Sequence, residues 1–336
     1  MRNNWRRAAT SAAAAILATG IIGYAMVLSG PAPGDGMTLA RNQAGRTAPS
    51  TTHVLPSQYV GGRLLAGHGI VVDRAATPPP QVAASAYVVA NAGTREVLAA
   101  KDPHGLFPPA STLKVLTAIT MLPRLRPQAR LVATALAASV EPSVVGLIPG
   151  HRYRVSDLFR ALLLISANDA AVTLVQGSGS FAKGMALMNA EARHLQAYDV
   201  VAKVPNGLPA PGQVVSAYDL ALIARRALSM PAFMRYDATL SAAFPVSAHS
   251  WLPMVNQDTL LTQYPGGLGG KIGWTRAAGA TYIGMARRGG VTLIVTILHA
   301  TPLTEVASAE RLLDWGFAMN GRVRAVGRLV RPLPSR

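Results

Sequence analysis

The sequence predicts an α/β (α+β) domain in which one sheet is built from both ends of the chain, with a helical insertion between them. Three observations carry this prediction. Two β-rich runs, 86–90 and 96–99, flank the turn Asn91-Ala92-Gly93. Three more runs lie near the other end, at 271–275, 281–286 and 292–298, joined by Ala277-Ala278-Gly279 and Arg288-Gly289-Gly290. Everything with a helical period falls between these two groups or after the last of them.

The helices follow in order. Phe107-Pro108-Pro109-Ala110 leads into a helix from about Ser111 to Leu122, which Pro123 ends because it has no N–H to continue the ladder. Ser156-Asp157 caps a second helix through about Ile165, and Asp169 starts a third through about Gln176. A fourth runs from Ser216 to about Ser229 and stops before Pro231. The last, from Glu305 to about Met319, carries Leu312 and Leu313 inside.

The remaining segments divide the chain into regions. Arg2, Arg6 and Arg7 precede an uncharged stretch, 8–34, whose most apolar part nearly spans a bilayer at ~1.5 Å per residue over ~30 Å. Residues 1–29 are therefore expected to be a signal peptide or, preferably, a retained anchor that leaves the rest of the chain extracytoplasmic. Residues 30–81, rich in Pro, Gly, Ser and Thr and ending in Pro78-Pro79-Pro80, read as a flexible tether, with a short strand near 69–72. The domain proper is expected over 82–320, followed by a short basic tail, 321–336.

Composition narrows the chemistry. The chain of 336 residues is half hydrophobic, enough for a large core, and has no cysteine, which excludes disulfides, thiol nucleophiles and a lipoprotein anchor. Its formal charge is +17. The arginines that carry it are scattered, without a basic helix or an aromatic-interleaved basic run, so nucleic acid is not an expected partner, whereas anionic lipid or wall polymer is compatible. Histidines are dispersed and none forms a pair beside a glutamate at helical spacing, so no metal and no cofactor are expected. Against an arginine-rich background there are five lysines, Lys101, Lys114, Lys183, Lys203 and Lys271. Arginine cannot lose its proton and lysine can, so a lysine among catalytic-looking neighbours is informative.

Three short segments supply those neighbours. Ser111-Thr112-Leu113-Lys114 places a hydroxyl and an amine one helical turn apart, on one face. Ser166-Ala167-Asn168 offers a second hydroxyl and an amide. Lys271-Ile272-Gly273 offers a second cation beside a glycine that permits close backbone approach. Each has a bland reading: an N-cap, a helix-linking turn, and an edge-strand lysine that discourages aggregation. Together they make a serine acyl-transfer site whose base is lysine.

These segments resemble the SxxK, SxN and KTG motifs of penicillin-recognising serine enzymes. Their flanks, Pro109-Ala110 before Ser111, Asp169-Ala170-Ala171 after Asn168, Trp274-Thr275 after Gly273, and Leu312-Leu313-Asp314-Trp315-Gly316-Phe317 near the end, are similar to the D-alanyl-D-alanine carboxypeptidases among low-molecular-mass penicillin-binding proteins. The resemblance covers about 82–320. It implies the serine β-lactamase/DD-peptidase-like fold: an antiparallel sheet flanked by helices, with an α-rich subdomain. It further implies Ser111 as nucleophile, Lys114 as base and Ser166 as proton relay to the leaving amine. Asn168, Lys271, Ile272, Gly273, Trp274 and Thr275 would bind substrate, with Lys271 steadying Ser166 and the backbone N–H groups of Ser111 and Trp274 forming the oxyanion hole. The implied substrate is the peptidoglycan stem peptide, and β-lactams are the implied inhibitors.

One position departs from the family. Ile272 stands where threonine usually does, and lacks the hydroxyl that would bond the substrate carboxylate, a bond to a charged group worth ~1.5–3 kcal/mol. Two alternatives follow for function. One is a β-lactamase, which needs a carboxylate to activate water, with Glu141 and Glu191 as candidates. The other is a wall-binding homologue whose catalysis is weakened.

Overall fold

The computed structural model describes residues 60–247 and 249–334. The segments read as anchor (1–29) and as most of the tether (30–59) lie outside them. Among the described residues no helix is long and apolar enough to cross a membrane.

In chain order the strands are β1 Ile70–Val72, β2 Ala84–Asn91, β3 Glu96–Lys101, β4 Arg130–Val132, β5 Arg152–Arg154, β6 Ser241–Ser247, β7 Ser250–Val255, β8 Gly267–Thr275, β9 Gly279–Arg288, β10 Val291–Ala300 and β11 Gly327–Arg328. The helices are α1 Leu113–Met121, α2 Ala135–Ala138, α3 Val155–Leu164, α4 Asn168–Gln176, α5 Phe181–His194, α6 Ala217–Leu228, α7 Pro231–Asp237, α8 Leu260–Gln263 and α9 Glu305–Met319. The main sheet runs β1-β3-β2-β10-β9-β8, antiparallel throughout, with β11 also paired to β3. Both ends of the domain thus build one sheet, as the placement of the strand runs predicts.

Period-two alternation distributes side chains between two layers. Ala86, Val88, Ala90, Ile294 and Leu298 face α1, α6 and the helical insertion. Tyr87, Val89, Leu293, Val295 and Ile297 face α9, where Leu312, Leu313 and Trp315 cover them. Helix α1 is buried on every side, from Leu113 to Met121. A helix apolar all round belongs at the centre of a large domain, and one of its buried positions is Lys114.

Two boundaries differ from the sequence-based expectation. Residues 60–81 are not a free tether: Leu65 is fully buried, and β1, at the short strand read near 69–72, pairs Ile70, Val71 and Val72 with Lys101, Ala100 and Ala99 of β3. Residues beyond 320 are not merely a basic tail: Val326 and Leu329 join the core, and the Arg328 carbonyl accepts the Tyr218 hydroxyl at 2.7 Å. In both places the apolar run is only two or three residues long. A run so short shows no period, and its burial depends on a sheet edge waiting elsewhere in the chain.

Candidate active site

The site forms where the N-terminus of α1, the α3–α4 junction and the edge strand β8 meet. Helix α1 is preceded by a 3-10 turn, Ala110–Thr112, that carries Ser111. Ala110 has φ 46°, a left-handed conformation costly for a residue with a Cβ. Neighbours impose it. The Pro109 carbonyl accepts both the Thr112 hydroxyl at 2.5 Å and the Thr281 hydroxyl at 2.9 Å. The Ala110 carbonyl packs so closely on Gly207 that a Cβ there would collide with it. Strained backbone held by its surroundings is common where a side chain must be aimed; here it aims Ser111.

Lys114, one turn on, is fully buried. Its Nζ donates to Ser111 Oγ at 2.7 Å, Ser166 Oγ at 3.1 Å and Asn168 Oδ1 at 2.7 Å. The two hydroxyls and the amide read from separate motifs therefore converge on one amine. Burial first, and the charge of Lys271 second, push the Lys114 pKa well below the ordinary lysine range, with Asp169 opposing.

Ser166 lies within the α3–α4 link with φ 61° and is almost fully buried. Asn168 opens α4. Its Nδ2 donates to the Glu141 carbonyl at 2.7 Å and its backbone N–H to the Ser143 carbonyl at 2.7 Å. Much of its hydrogen-bonding capacity thus holds Lys114 and the 141–143 loop.

Lys271, on β8, is 2% exposed. Burial lowers its pKa to about 8, against the opposing charges of Asp258 and Asp237. Its Nζ donates to the Ile272 carbonyl at 2.8 Å; the hydroxyl of Ser166 is held by Lys114 rather than by Lys271. Gly273 lies against the nucleophile turn, where a Cβ would stand 2.7 Å from Ser111 N and 2.6 Å from Thr281 Oγ1. That closeness explains the glycine. Trp274 is 44% exposed and lines, with Arg276, Gly279, His299 and Thr301, a cleft of about 580 Å³. The Thr275 hydroxyl accepts the Ala278 N–H at 3.0 Å and closes the β8–β9 turn.

The side chain of Ile272 takes no part in this cluster. It is half-buried and packs against the apolar layer under α9, on the face opposite Lys271. A threonine there would trade apolar contact for a hydroxyl facing that layer. Ile272→Thr is therefore expected to lower the Tm by a few degrees, about 1 kcal/mol, with penicillin acylation within threefold of the parent. A tenfold faster acylation at equal Tm would show that a hydroxyl at this edge still reaches the cleft.

Sequence reasoning missed several supporting residues. Asp169 accepts backbone N–H groups from Val145, Gly146 and Leu147 at 2.9–3.2 Å and so fixes the loop facing the site. Asp237 and Asp258 are buried and lie within electrostatic reach of Lys271; burial raises the pKa of each. Asp258 Oδ1 accepts the Tyr282 hydroxyl at 2.7 Å. The available signal was an acidic residue directly after Asn168; for the other two, nothing local distinguishes them from solvated carboxylates. Of the two glutamate candidates for water activation, Glu191 on α5 pairs with Arg226 at 3.6 Å, and Glu141, an exposed residue, contributes its backbone carbonyl to Asn168.

Comparison with known proteins agrees with this geometry. The family model described as D-alanyl-D-alanine carboxypeptidase, Peptidase_S11, matches residues 73–302. The chain is 40% identical over 249 residues to D-alanyl-D-alanine carboxypeptidase DacB2 of Mycobacterium tuberculosis, covering 72% of this chain and 85% of that protein. It is 27% identical to D-alanyl-D-alanine carboxypeptidase DacF of Bacillus subtilis over 70% of this chain, and spans 62% of that relative's length. Among solved structures, a D-alanyl-D-alanine carboxypeptidase from M. tuberculosis superimposes with a TM-score of 0.73 at 38% identity, covering 77% of this chain and 99% of that one. The Streptomyces K15 DD-transpeptidase superimposes with a TM-score of 0.68 at 25% identity, covering 72% and 100%.

Proposed function

We propose, from the premise that this chain belongs to the D-alanyl-D-alanine carboxypeptidase family, that it removes the terminal D-alanine from peptidoglycan stem peptides through a Ser111 acyl-enzyme. The observation that carries the reading is the convergence of Ser111, Ser166 and Asn168 on the buried amine of Lys114. A neutral Lys114 Nζ accepts the Ser111 proton as Oγ attacks the carbonyl between the two D-alanines. The backbone N–H groups of Ser111 and Trp274 receive the developing oxyanion. Protonated Lys114 passes its proton through Ser166 Oγ to the leaving amine, and D-alanine departs. Water then hydrolyses the ester, with the same amine as base. Lys271, kept charged near neutral pH, attracts the terminal carboxylate. Arg276, beside Trp274, adds positive charge.

Secretion of the domain and its attachment at the membrane belong to the same reading. Its support is the uncharged stretch 8–34 behind Arg2, Arg6 and Arg7.

The test is D-alanine release from a synthetic pentapeptide, together with labelling by a fluorescent penicillin and the lifetime of that label. Release of D-alanine with a label lasting minutes or longer is expected. Rapid label loss without D-alanine release would make the protein a β-lactamase. Labelling without either turnover would make it a wall-binding homologue.

The pH profile of penicillin acylation should be bell-shaped. Below the lowered pKa of Lys114 the ammonium has no lone pair, so the rate rises with pH through that point. Above about 8 Lys271 loses its proton and its pull on the carboxylate, so the rate falls. Stopped-flow acylation from pH 5 to 10 measures both limbs; a rate still climbing at pH 10 would remove the charged role of Lys271.

A further inference from the structure

Two hairpins stand apart from the main sheet, β4–β5 and β6–β7. They enclose a groove of about 950 Å³. One hairpin and its approach supply Arg130, His151, Arg152 and Arg154, all exposed; the other supplies Trp251, which is 58% exposed. Arg130 and Arg154 are directly opposite one another across β4 and β5. Like charges in that relation repel, at a cost to the hairpin. The Arg130 guanidinium donates to a neutral acceptor, the Arg152 carbonyl, at 3.4 Å. Among the described residues no carboxylate forms an ion pair with Arg130, Arg152 or Arg154, and the acidic residue of the wall, Asp157, is held by Arg160 at 2.9 Å.

We propose that this groove binds an anionic polysaccharide, its sugar faces laid on Trp251 and its phosphate or carboxylate groups held by Arg130, Arg152 and Arg154. The guanidinium fork fits both kinds of anion bidentately, and three of them along one wall match a polymer that repeats its charge. A planar indole more than half exposed suits the C–H face of a sugar ring. A nucleic-acid strand fits less well, because it wants successive aromatic platforms, and the groove exposes one. A membrane surface fits less well, because the basic residues line a concavity rather than the polar side of an amphipathic helix. The inference is independent of the chemistry at Ser111.

The test titrates the full chain by calorimetry with hyaluronate, a phosphomannan, neutral dextran and a single-stranded oligothymidylate. Binding of hyaluronate, phosphomannan or both is expected, weakening as salt rises, with no binding of dextran. Preference between the two polymers identifies the anion as carboxylate or phosphate. The double variant Arg130→Gln/Arg154→Gln should weaken binding at least about tenfold, with Tm unchanged or raised because the repulsion is gone. Trp251→Ala should weaken it on the order of tenfold while leaving the salt dependence intact. Penicillin acylation should stay at the parent rate in both. Variants that bind as tightly as the parent would overturn the proposal. So would no binding of either anionic polysaccharide at low salt, or tighter binding of the oligothymidylate than of both.

Discussion

Ser111→Ala is expected to abolish covalent labelling by fluorescent penicillin, a loss on the order of 10⁴-fold or more in acylation, while the Tm moves by no more than a degree or two. The two halves of this expectation have different sources. The loss is chemical: the Ser111 Oγ lies 2.7 Å from the Lys114 amine on a half-buried residue, whereas Ser166, the other hydroxyl on that amine, is almost fully buried. The unchanged stability is structural. Ser111 is only half-buried, and the turn that presents it is held by the Thr112 and Thr281 hydroxyls on the Pro109 carbonyl and by Gly207 under Ala110. None of these contacts involves the serine side chain. Mass spectrometry of the penicillin-treated variant, with a thermal melt beside it, measures both. Persistent labelling would mean that another hydroxyl is the nucleophile, and Ser166 would be the first to examine.

Lys114→Arg should reduce acylation by about 10³-fold or more, because a guanidinium keeps its proton at any pH the protein survives. The direction of the lysine's shift is central here. Burial and the neighbouring charge of Lys271 both penalise the ammonium, so the neutral amine is available in a range where a solvated lysine is charged. Arginine also adds volume and an unavoidable charge at a fully buried position, so a lower Tm is expected as well. Lys114→Met separates the two effects. It fills similar space without charge, should restore much of the Tm, and should remain as inactive as the arginine variant. If either variant acylates within threefold of the parent, Lys114 is not the base.

Much of this was legible in the chain. The β-rich runs near 86–99 and 271–298 became β2, β3, β8, β9 and β10, and the closing helix Glu305–Met319 lies where its apolar pattern puts it. The start of α6 was readable because its chemistry is local: Ser216 accepts the Asp219 N–H at 3.1 Å as a cap should. The expected Ser156-Asp157 cap is not formed, because α3 already begins at Val155 and both residues lie inside its first turn. The motif residues Ser111, Lys114, Ser166 and Asn168 were readable because the first two are one helical turn apart and the last two sit at a link between helices.

Other features depended on segments distant in sequence. Whether 60–81 hung free or packed depended on the exposed edge of β3, and whether 326–329 counted as tail or core depended on β3 and on Tyr218. Which way Ile272 faced depended on the register of β8 with β9, which sets Ile272 opposite Tyr282 in the α9 layer and Lys271 opposite Ile283 in the other. A one-residue slip would have exchanged them.

By itself, then, the sequence determined the order of the main-sheet strands β2, β3, β8, β9 and β10 and of the helices α1, α3, α4, α6 and α9, the catalytic alphabet and the family to which it points, because periodicity and short motifs are encoded by neighbours along the chain; α5 and the hairpins β4–β5 and β6–β7 were not read from it. Tertiary structure alone decided that Lys114 is buried among Ser111, Ser166 and Asn168. It also decided that Lys271 stands near two buried carboxylates and that four basic side chains share a groove with Trp251. Desolvation, charge proximity and close packing are properties of position in space, and residues tens of positions apart in the chain set each of them.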